Sequence, residues 1–291
     1  MRPAHIVEIA TPKKYILNGI WLGPAKAARV FIWVHGLGSS AFSKHAIAEK
    51  LIDTQTAVLL FNNRGHDAVA RVSRILKNGK SKSELAGAAH EKFTDCVDDI
   101  QGAIDFAKAN GARDIYLIGH STGCQKSVYY ASFHSDTKLK GIVLLAPVSD
   151  YAGMLKRHGK KKLDKLVSLA RSLVRKGGEN EYIPRSLWGE ELDDAQRFLS
   201  LYTPESKEEI FCYAQKGKRP KTLEKVNIPI LLLWAEHEEF SDRPAGEILA
   251  WFDAHIRVNH EMHVIPGVTH GFKEGEAAVS QRILNWVNSA K

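Results

Sequence analysis

At 291 residues, with 44% hydrophobic and 25% charged side chains, the chain can bury a large core, which excludes wholesale disorder and suits one α/β domain, alone or with an insertion. The formal net charge is +8, but nine Lys/Arg against one acid, Asp164, fall between Lys156 and Lys176 and account for all of it, so a local basic surface is expected and a broad nucleic-acid-binding face is not. No apolar run approaches the roughly 20 residues of a membrane span, the N-terminal stretch has no apolar signal region, and Cys96, Cys124 and Cys212 form neither a disulfide framework nor a metal-site pattern, which together predict a reduced, cytoplasmic protein.

Two strands are expected around Ile6–Ala10 and Tyr15–Trp21, split by a turn at Thr11-Pro12-Lys13-Lys14. Val30–Val34 is continuously apolar, as in a strand buried on both faces, and runs into His35-Gly36-Leu37-Gly38-Ser39-Ser40. A helical segment to about Asp53 leads to the strand Ala57–Phe61. Residues 68–90 are polar, basic and poorly periodic, and read as a long loop. From Glu91 to Asn110 the apolar positions Phe93, Val97, Ile100 and Ile104 recur at helical spacing, with Gly111 as a stop. Strands follow at Ile115–Gly119 and Gly141–Pro147. Residues 150–225 break the rhythm and read as helical and polar, with Leu163, Leu166, Leu169, Ala170 and Leu173 as an apolar stripe. The rhythm resumes with Ile228–Trp234, a helix near Ala245–Phe252, the strand Glu261–Pro266, and a final helix to about Ala290. This alternation predicts an α/β fold: a mostly parallel eight-stranded sheet flanked by helices. Residues 1–149 and 226–291 make the core, and 150–225 form a helical lid inserted after the sixth strand, where an insertion can overlie the carboxyl edge of the sheet.

The strand at Ile115 ends in Gly119-His120-Ser121-Thr122-Gly123. A serine between two glycines where a strand turns into a helix reads as a nucleophile elbow. The turn strains Ser121, side chains at 119 and 123 would collide with neighbouring chain, and the helix start presents backbone N–H groups to a developing anion. A hydroxyl needs a base, and the base a carboxylate; on such sheets they follow in the order serine, acid, histidine, each after a strand. His270, in the loop Pro266–Phe272, is the expected base. Glu236, Glu238, Glu239 and Asp242 all lie within the acid loop; position favours Glu238, with Asp242 as runner-up and the others a solvated cluster. Leu37 and Thr122 are the expected oxyanion donors, and Gly36 and Gly38 let the first loop approach the substrate.

These segments, with Gly119-His120-Ser121-Thr122-Gly123-Cys124-Gln125 at their centre, resemble the α/β-hydrolase superfamily along almost the whole chain. The elbow running into Cys124-Gln125 is further similar to a family of uncharacterised hydrolases, some of whose fungal members are linked to siderophore-ester hydrolysis. The resemblance implies Ser121 as nucleophile, His270 as base, Glu238 where aspartate is usual, and Leu37 and Thr122 holding the oxyanion. Arg64-Gly65-His66-Asp67 resembles a structural turn of the superfamily, and Cys124 reads as a packed small residue. The expected protein is a serine hydrolase that cleaves small-molecule carboxylic esters through an acyl-enzyme, with no cofactor or metal, no nucleic-acid partner and no membrane span, as a monomer or homodimer. Thioester, amide or lactone cleavage on the same triad is the alternative, and a non-catalytic ligand-binding protein on this fold is a second. Segment 156–176 reads as the solvated face of a lid helix, or as an attractor of anionic substrates or surfaces. Tyr151, Trp188, Phe198, Tyr202, Phe211 and Tyr213 either line a pocket or pack the lid.

Overall fold

A computed structural model describes residues 4–134, 139–189 and 192–289; Ala290, the expected end of the last helix, lies outside them, as do a few residues of each expected domain. In chain order the elements are β1 (Ala4–Ala10), β2 (Tyr15–Leu22), β3 (Arg29–Val34), α1 (His45–Ala48), β4 (Thr56–Phe61), β5 (Ala70–Ile75), β6 (Ser81–Ala86), α2 (Cys96–Ala109), β7 (Asp114–His120), α3 (Thr122–Phe133) and β8 (Leu139–Leu145). There follow α4 (Asp150–His158), α5 (Lys160–Arg175), α6 (Arg185–Trp188), α7 (Ala195–Tyr202), β9 (Ile230–His237), α8 (Ala245–His255), β10 (His260–Thr269) and α9 (Glu276–Ser289).

The strands form one ten-stranded sheet in the order β10-β9-β8-β7-β3-β4-β2-β5-β6, with β1 on β2. From β10 to β4 every pairing is parallel; β1, β2, β5 and β6 add antiparallel strands at one end. Strand pleating sends alternate side chains to opposite faces, so the apolar runs supply two cores. Val30, Ile32 and Val34 of β3 join Ile115, Leu117, Ile142 and Leu144 on the face covered by α2, α3 and α8. Phe31, Trp33, Ile118, Val143 and Leu145 pack on the other, with Ile47 of α1 and Val279, Ile283 and Trp286 of α9. A sheet buried on both faces has no polar alternation, which is why these strands read as unbroken apolar runs.

Two expectations are corrected. The long loop over residues 68–90 is largely the β5–β6 hairpin, which raises the strand count from eight to ten. Of β5 only Val72 is buried, and of β6 only Ala86, so neither strand carries the apolar alternation that marks a half-buried strand. The helical character expected through residue 225 stops at Tyr202, leaving only a short 3-10 turn at Leu223–Lys225 beyond it. Pro204, Gly217 (φ 77°) and Pro220 interrupt the stretch, while Ile210, Phe211 and Tyr213 pack into the principal core.

The helices between β8 and β9 have a core of their own. Leu163, Leu166 and Ala170 of α5 meet Trp188, Phe198 and Tyr202, with Leu173 packed against them; Leu169 is not part of the cluster. The amphipathic face of α5 is thus satisfied within this helical layer. Eight of the nine basic residues of 156–176 are exposed and Lys162 is half-buried.

Candidate functional site

Between the last residue of β7 and the first of α3, Ser121 takes φ 55°, ψ −127°, a backbone conformation that costs a non-glycine residue on the order of 1–3 kcal/mol. The surroundings enforce it. Ser121 N–H is held by Leu145 O at 3.0 Å, and Cys124 N–H returns to Ser121 O at 2.8 Å. A Cβ at Gly123 would lie 2.0 Å from Val34 O, and one at Gly119 2.4 Å from Gly123 O, so the crossing of β7, α3 and the end of β3 is closed to any side chain there. Cys124 is fully buried, its thiol hydrogen-bonded towards Gly119 O and Leu145 O at 3.2 Å, and burial pushes its pKa well above the ordinary value.

The segments after β9 and β10 come together beside this turn. His270 Nδ1 lies 2.9 Å and 2.8 Å from the two carboxylate oxygens of Glu238, whose side chain is 1% exposed. A carboxylate oxygen only accepts, so Nδ1 carries the proton and the Nε2 lone pair is left free to act as a base. The neighbouring acids hold backbone. Glu239 accepts from His270 N–H at 2.9 Å and Glu236 from Gly267 N–H at 2.7 Å, so they grip the histidine loop, where a solvated cluster was expected. Asp242 forms a fork with the Arg243 guanidinium at 2.8 and 3.0 Å. The structure thus places Glu238 on His270, and Asp242 on Arg243.

Three further residues lie against that loop: His120 sits within the elbow motif without a role assigned to it there, and no motif announces Lys44 or Phe240. Lys44 donates its ammonium to Gly271 O at 2.5 Å, and its own burial lowers its pKa. His120 Nε2 reaches His270 O at 2.9 Å, and its ring lies 5.0 Å from that of His270. The Phe240 and His270 rings meet edge-to-face at 4.8 Å, and the Arg157 guanidinium lies over the Phe240 ring at 5.6 Å.

The loop after β3 closes the remaining side. A Cβ at Gly36 would lie 2.9 Å from Ser121 Cβ, so the glycine permits close approach to the serine turn itself. His35 is buried; it donates from Nδ1 to Gly36 O at 2.9 Å and accepts Asn63 N–H on Nε2 at 3.2 Å. Burial, with Lys126 nearby, takes its pKa down to about 3, so the ring is neutral. Gly38 takes φ 59°, and Leu37 packs against the helical layer. Thr122, fully buried, begins α3.

A cavity of about 300 Å³ opens over these groups, lined by Gly36, Leu37, His120, Ser121 and His270 from the sheet side. Asp150, Gly153, Met154 and Arg157, on one face of α4 at helical spacing, line the other with Tyr202 and Phe240. Of the aromatic residues expected either to line a pocket or to pack the lid, Tyr202 alone is on the wall. Trp188 and Phe198 pack the helical layer, and Phe211 and Tyr213 pack against Phe252 and Trp251. Among the described residues no group of three or more His, Cys, Asp or Glu is placed to hold a metal ion, and no helix is long and apolar enough to cross a membrane.

A family described as "Protein of unknown function (DUF1749)" matches residues 80–290. A UPF0613 protein of Schizosaccharomyces pombe is 30% identical over 200 residues, which are 60% of this chain and 63% of that protein; the chain therefore spans under two thirds of this curated relative. Among solved structures, the α/β hydrolase GrgF from Penicillium superposes with a TM-score of 0.66 at 16% identity, over 99% of this chain and 97% of that one. The Pyrococcus furiosus esterase Pf2001 does so with a TM-score of 0.60 at 17% identity, over 99% and 91%. Identities this low speak to architecture alone. The chain belongs to the DUF1749 family of proteins of unknown function, and its fold is that of the α/β hydrolases.

Proposed function

We propose that the protein is a serine hydrolase that cleaves small carboxylic esters through an acyl-enzyme. The observation that carries this reading is the contact of Glu238 with His270 Nδ1 at 2.8 Å, made on the wall of the cavity to which the strained Ser121 contributes. The structural likeness to an esterase and to an α/β hydrolase supports it at the level of the scaffold.

In this reading Ser121 Oγ attacks the ester carbonyl carbon and passes its proton to His270 Nε2. Glu238 holds the ring in the tautomer that can accept it and stabilises the imidazolium. The carbonyl oxygen becomes an oxyanion between the N–H groups of Leu37 and Thr122; one such donor is worth about 3 kcal/mol of barrier. Collapse expels the alcohol, which takes the proton from His270. Water then attacks the acyl carbon, giving a proton to His270, which returns it to Ser121 Oγ as the acyl–oxygen bond breaks and the acid leaves. The 150–225 stretch serves as the cap whose α4 face sets the substrate. The cavity's mixture of Met154, Tyr202 and Phe240 with Asp150 and Arg157 suits a compact ester with both apolar and polar parts. The three buried free thiols fit a reducing, cytoplasmic setting.

A fluorophosphonate probe tests the reading. Covalent labelling of wild type and its loss in Ser121→Ala support it; folded wild type that takes no label ends it. Nitrophenyl esters of increasing chain length then measure what the cavity admits.

A further inference from the structure

Four acidic and basic side chains pair with one another with almost no exposure: Lys126 and Arg197 at 0%, Glu91 and Glu208 at 4% and 2%. Lys126 Nζ meets Glu91 Oε1 at 2.5 Å, Glu91 Oε2 meets Arg197 at 3.0 Å, and Arg197 is held by both oxygens of Glu208 at 2.6 and 3.2 Å. The charges balance, and the two cations outweigh the burial that would otherwise raise Glu91, keeping it ionised. Gly65 makes room: a Cβ there would lie 2.3 Å from the Glu91 carboxyl. Well-packed apolar residues of similar volume often stabilise a core at least as well as a buried ion network, so stability alone gives little account of this one.

Its connections give another. Lys126 is on α3, one turn beyond Thr122, and its ammonium also donates to Asn63 Oδ1 at 3.3 Å. Asn63 N–H is the donor to His35 Nε2, and His35 Nδ1–H holds Gly36 O beside Leu37. The two backbone donors of the proposed oxyanion site come from different elements, the loop after β3 and the start of α3. Lys126 is rooted in the second and, through Asn63 and His35, holds the first. Through Glu91 and Arg197 the same chain reaches α7, in which Gln196, next to Arg197, donates to Glu91 O at 3.2 Å.

We infer that Lys126 is a positioning residue that sets the separation of the Leu37 and Thr122 amides, and that Glu91 and Arg197 tie this setting to the cap helices. The inference rests on the hydrolase reading. An offset between two backbone donors weakens the hold on a developing oxyanion far more than the binding of ground-state ester. The effect is therefore on kcat, in proportion to the affinity for a transition-state mimic.

The test uses the full chain. Glu91→Gln/Lys126→Met removes one cation and one anion together and leaves Arg197 paired with Glu208. We expect kcat for a nitrophenyl ester at least tenfold lower, KM within threefold, and a trifluoromethyl ketone of matching chain length bound at least tenfold more weakly. A folded double variant with wild-type kcat and ketone affinity overturns the proposal, and so does a loss carried wholly by KM. Should the double variant not fold, Asn63→Ser leaves all four charges in place and cuts the link to Lys126. A fivefold or greater fall in kcat with a parallel loss of ketone affinity supports the clamp, and unchanged values for both overturn it. Wild type that neither labels nor hydrolyses any ester brings down the underlying reading, an outcome distinct from a labelled, active wild type whose variants match it.

Discussion

His120 donates its Nε2–H to the carbonyl oxygen of His270 at 2.9 Å, so the residue before the strained serine holds the backbone of the proposed base. The donor assignment follows from chemistry, since a carbonyl can only accept. Burial, helped by the neighbouring His270, lowers the His120 pKa well below the ordinary histidine range, so the ring stays neutral. His120→Phe keeps an aromatic ring against His270 and Phe272, which it meets at 5.0 and 6.2 Å, and deletes only the donor. We expect kcat/KM to fall about tenfold, a loss of about 1.4 kcal/mol in the transition state, with fluorophosphonate labelling of Ser121 slowed in step. Unchanged labelling would show that Glu239 and Lys44 suffice to hold the loop.

The acid loop offers a sharper contrast. Glu238 faces His270, whereas Asp242 is spent on Arg243. Glu238→Gln keeps the shape but presents an amide that cannot stabilise an imidazolium and disfavours the useful tautomer; losses near 10⁴ in kcat follow such a change in a serine protease triad. We expect at least about a 10³-fold loss here and less than threefold for Asp242→Asn, measured as kcat on one nitrophenyl ester. A large effect at Asp242 with a small one at Glu238 would exchange their roles.

The parallel strands were legible in the sequence because burial on both faces leaves an uninterrupted apolar run, as in Val30–Val34 and Ile142–Leu145. Ser121 and His270 stood out because they sit in glycine-bearing turns after strands, whereas Glu238 was one of four acids in its loop, favoured over Asp242 by position alone. The β5–β6 hairpin escaped because Arg71, Ser73, Lys82 and Ser83 are exposed and almost nothing in it is buried. Lys126, Glu91 and Arg197 escaped for the opposite reason. A charged residue reads as surface, and only pairing across residues 91, 126 and 197 makes burial tolerable. Such pairing is a property of the fold that no local spacing encodes.

Glu209 should make stability depend on pH in a defined window. Its carboxyl is buried, accepting from Ser149 Oγ of the cavity wall at 2.7 Å and from Gln215 Nε2 at 3.2 Å, and burial pushes its pKa from the ordinary 4.5 up to about 7. The folded state therefore favours the protonated form. The stabilisation is present in full below about pH 4.5 and is lost as pH rises through 7, at most about 3 kcal/mol in all. Glu209→Gln keeps an acceptor for both donors and removes the charge. Its Tm should exceed that of wild type by about 5 °C at pH 8, with the gap closing towards pH 4.5. A gap independent of pH would mean that Glu209 does not titrate in this window.

The basic stretch can be separated by position. Lys161 and Lys165 are exposed on α5, whereas Arg157 lines the cavity and stacks over Phe240. Charges that face solvent are screened beyond about 8 Å at physiological salt, so a charge on the cavity wall is the one a bound substrate feels. For an ester bearing a carboxylate, Arg157→Gln should raise KM about fivefold, and raising ionic strength should raise the wild-type KM; for a neutral ester of the same size neither should matter. Charge reversal at both Lys161 and Lys165 should leave KM for either ester within twofold. If the reversal on α5 moves the acidic ester more than Arg157→Gln does, attraction acts at the surface of the helix and the cavity wall does not select for charge.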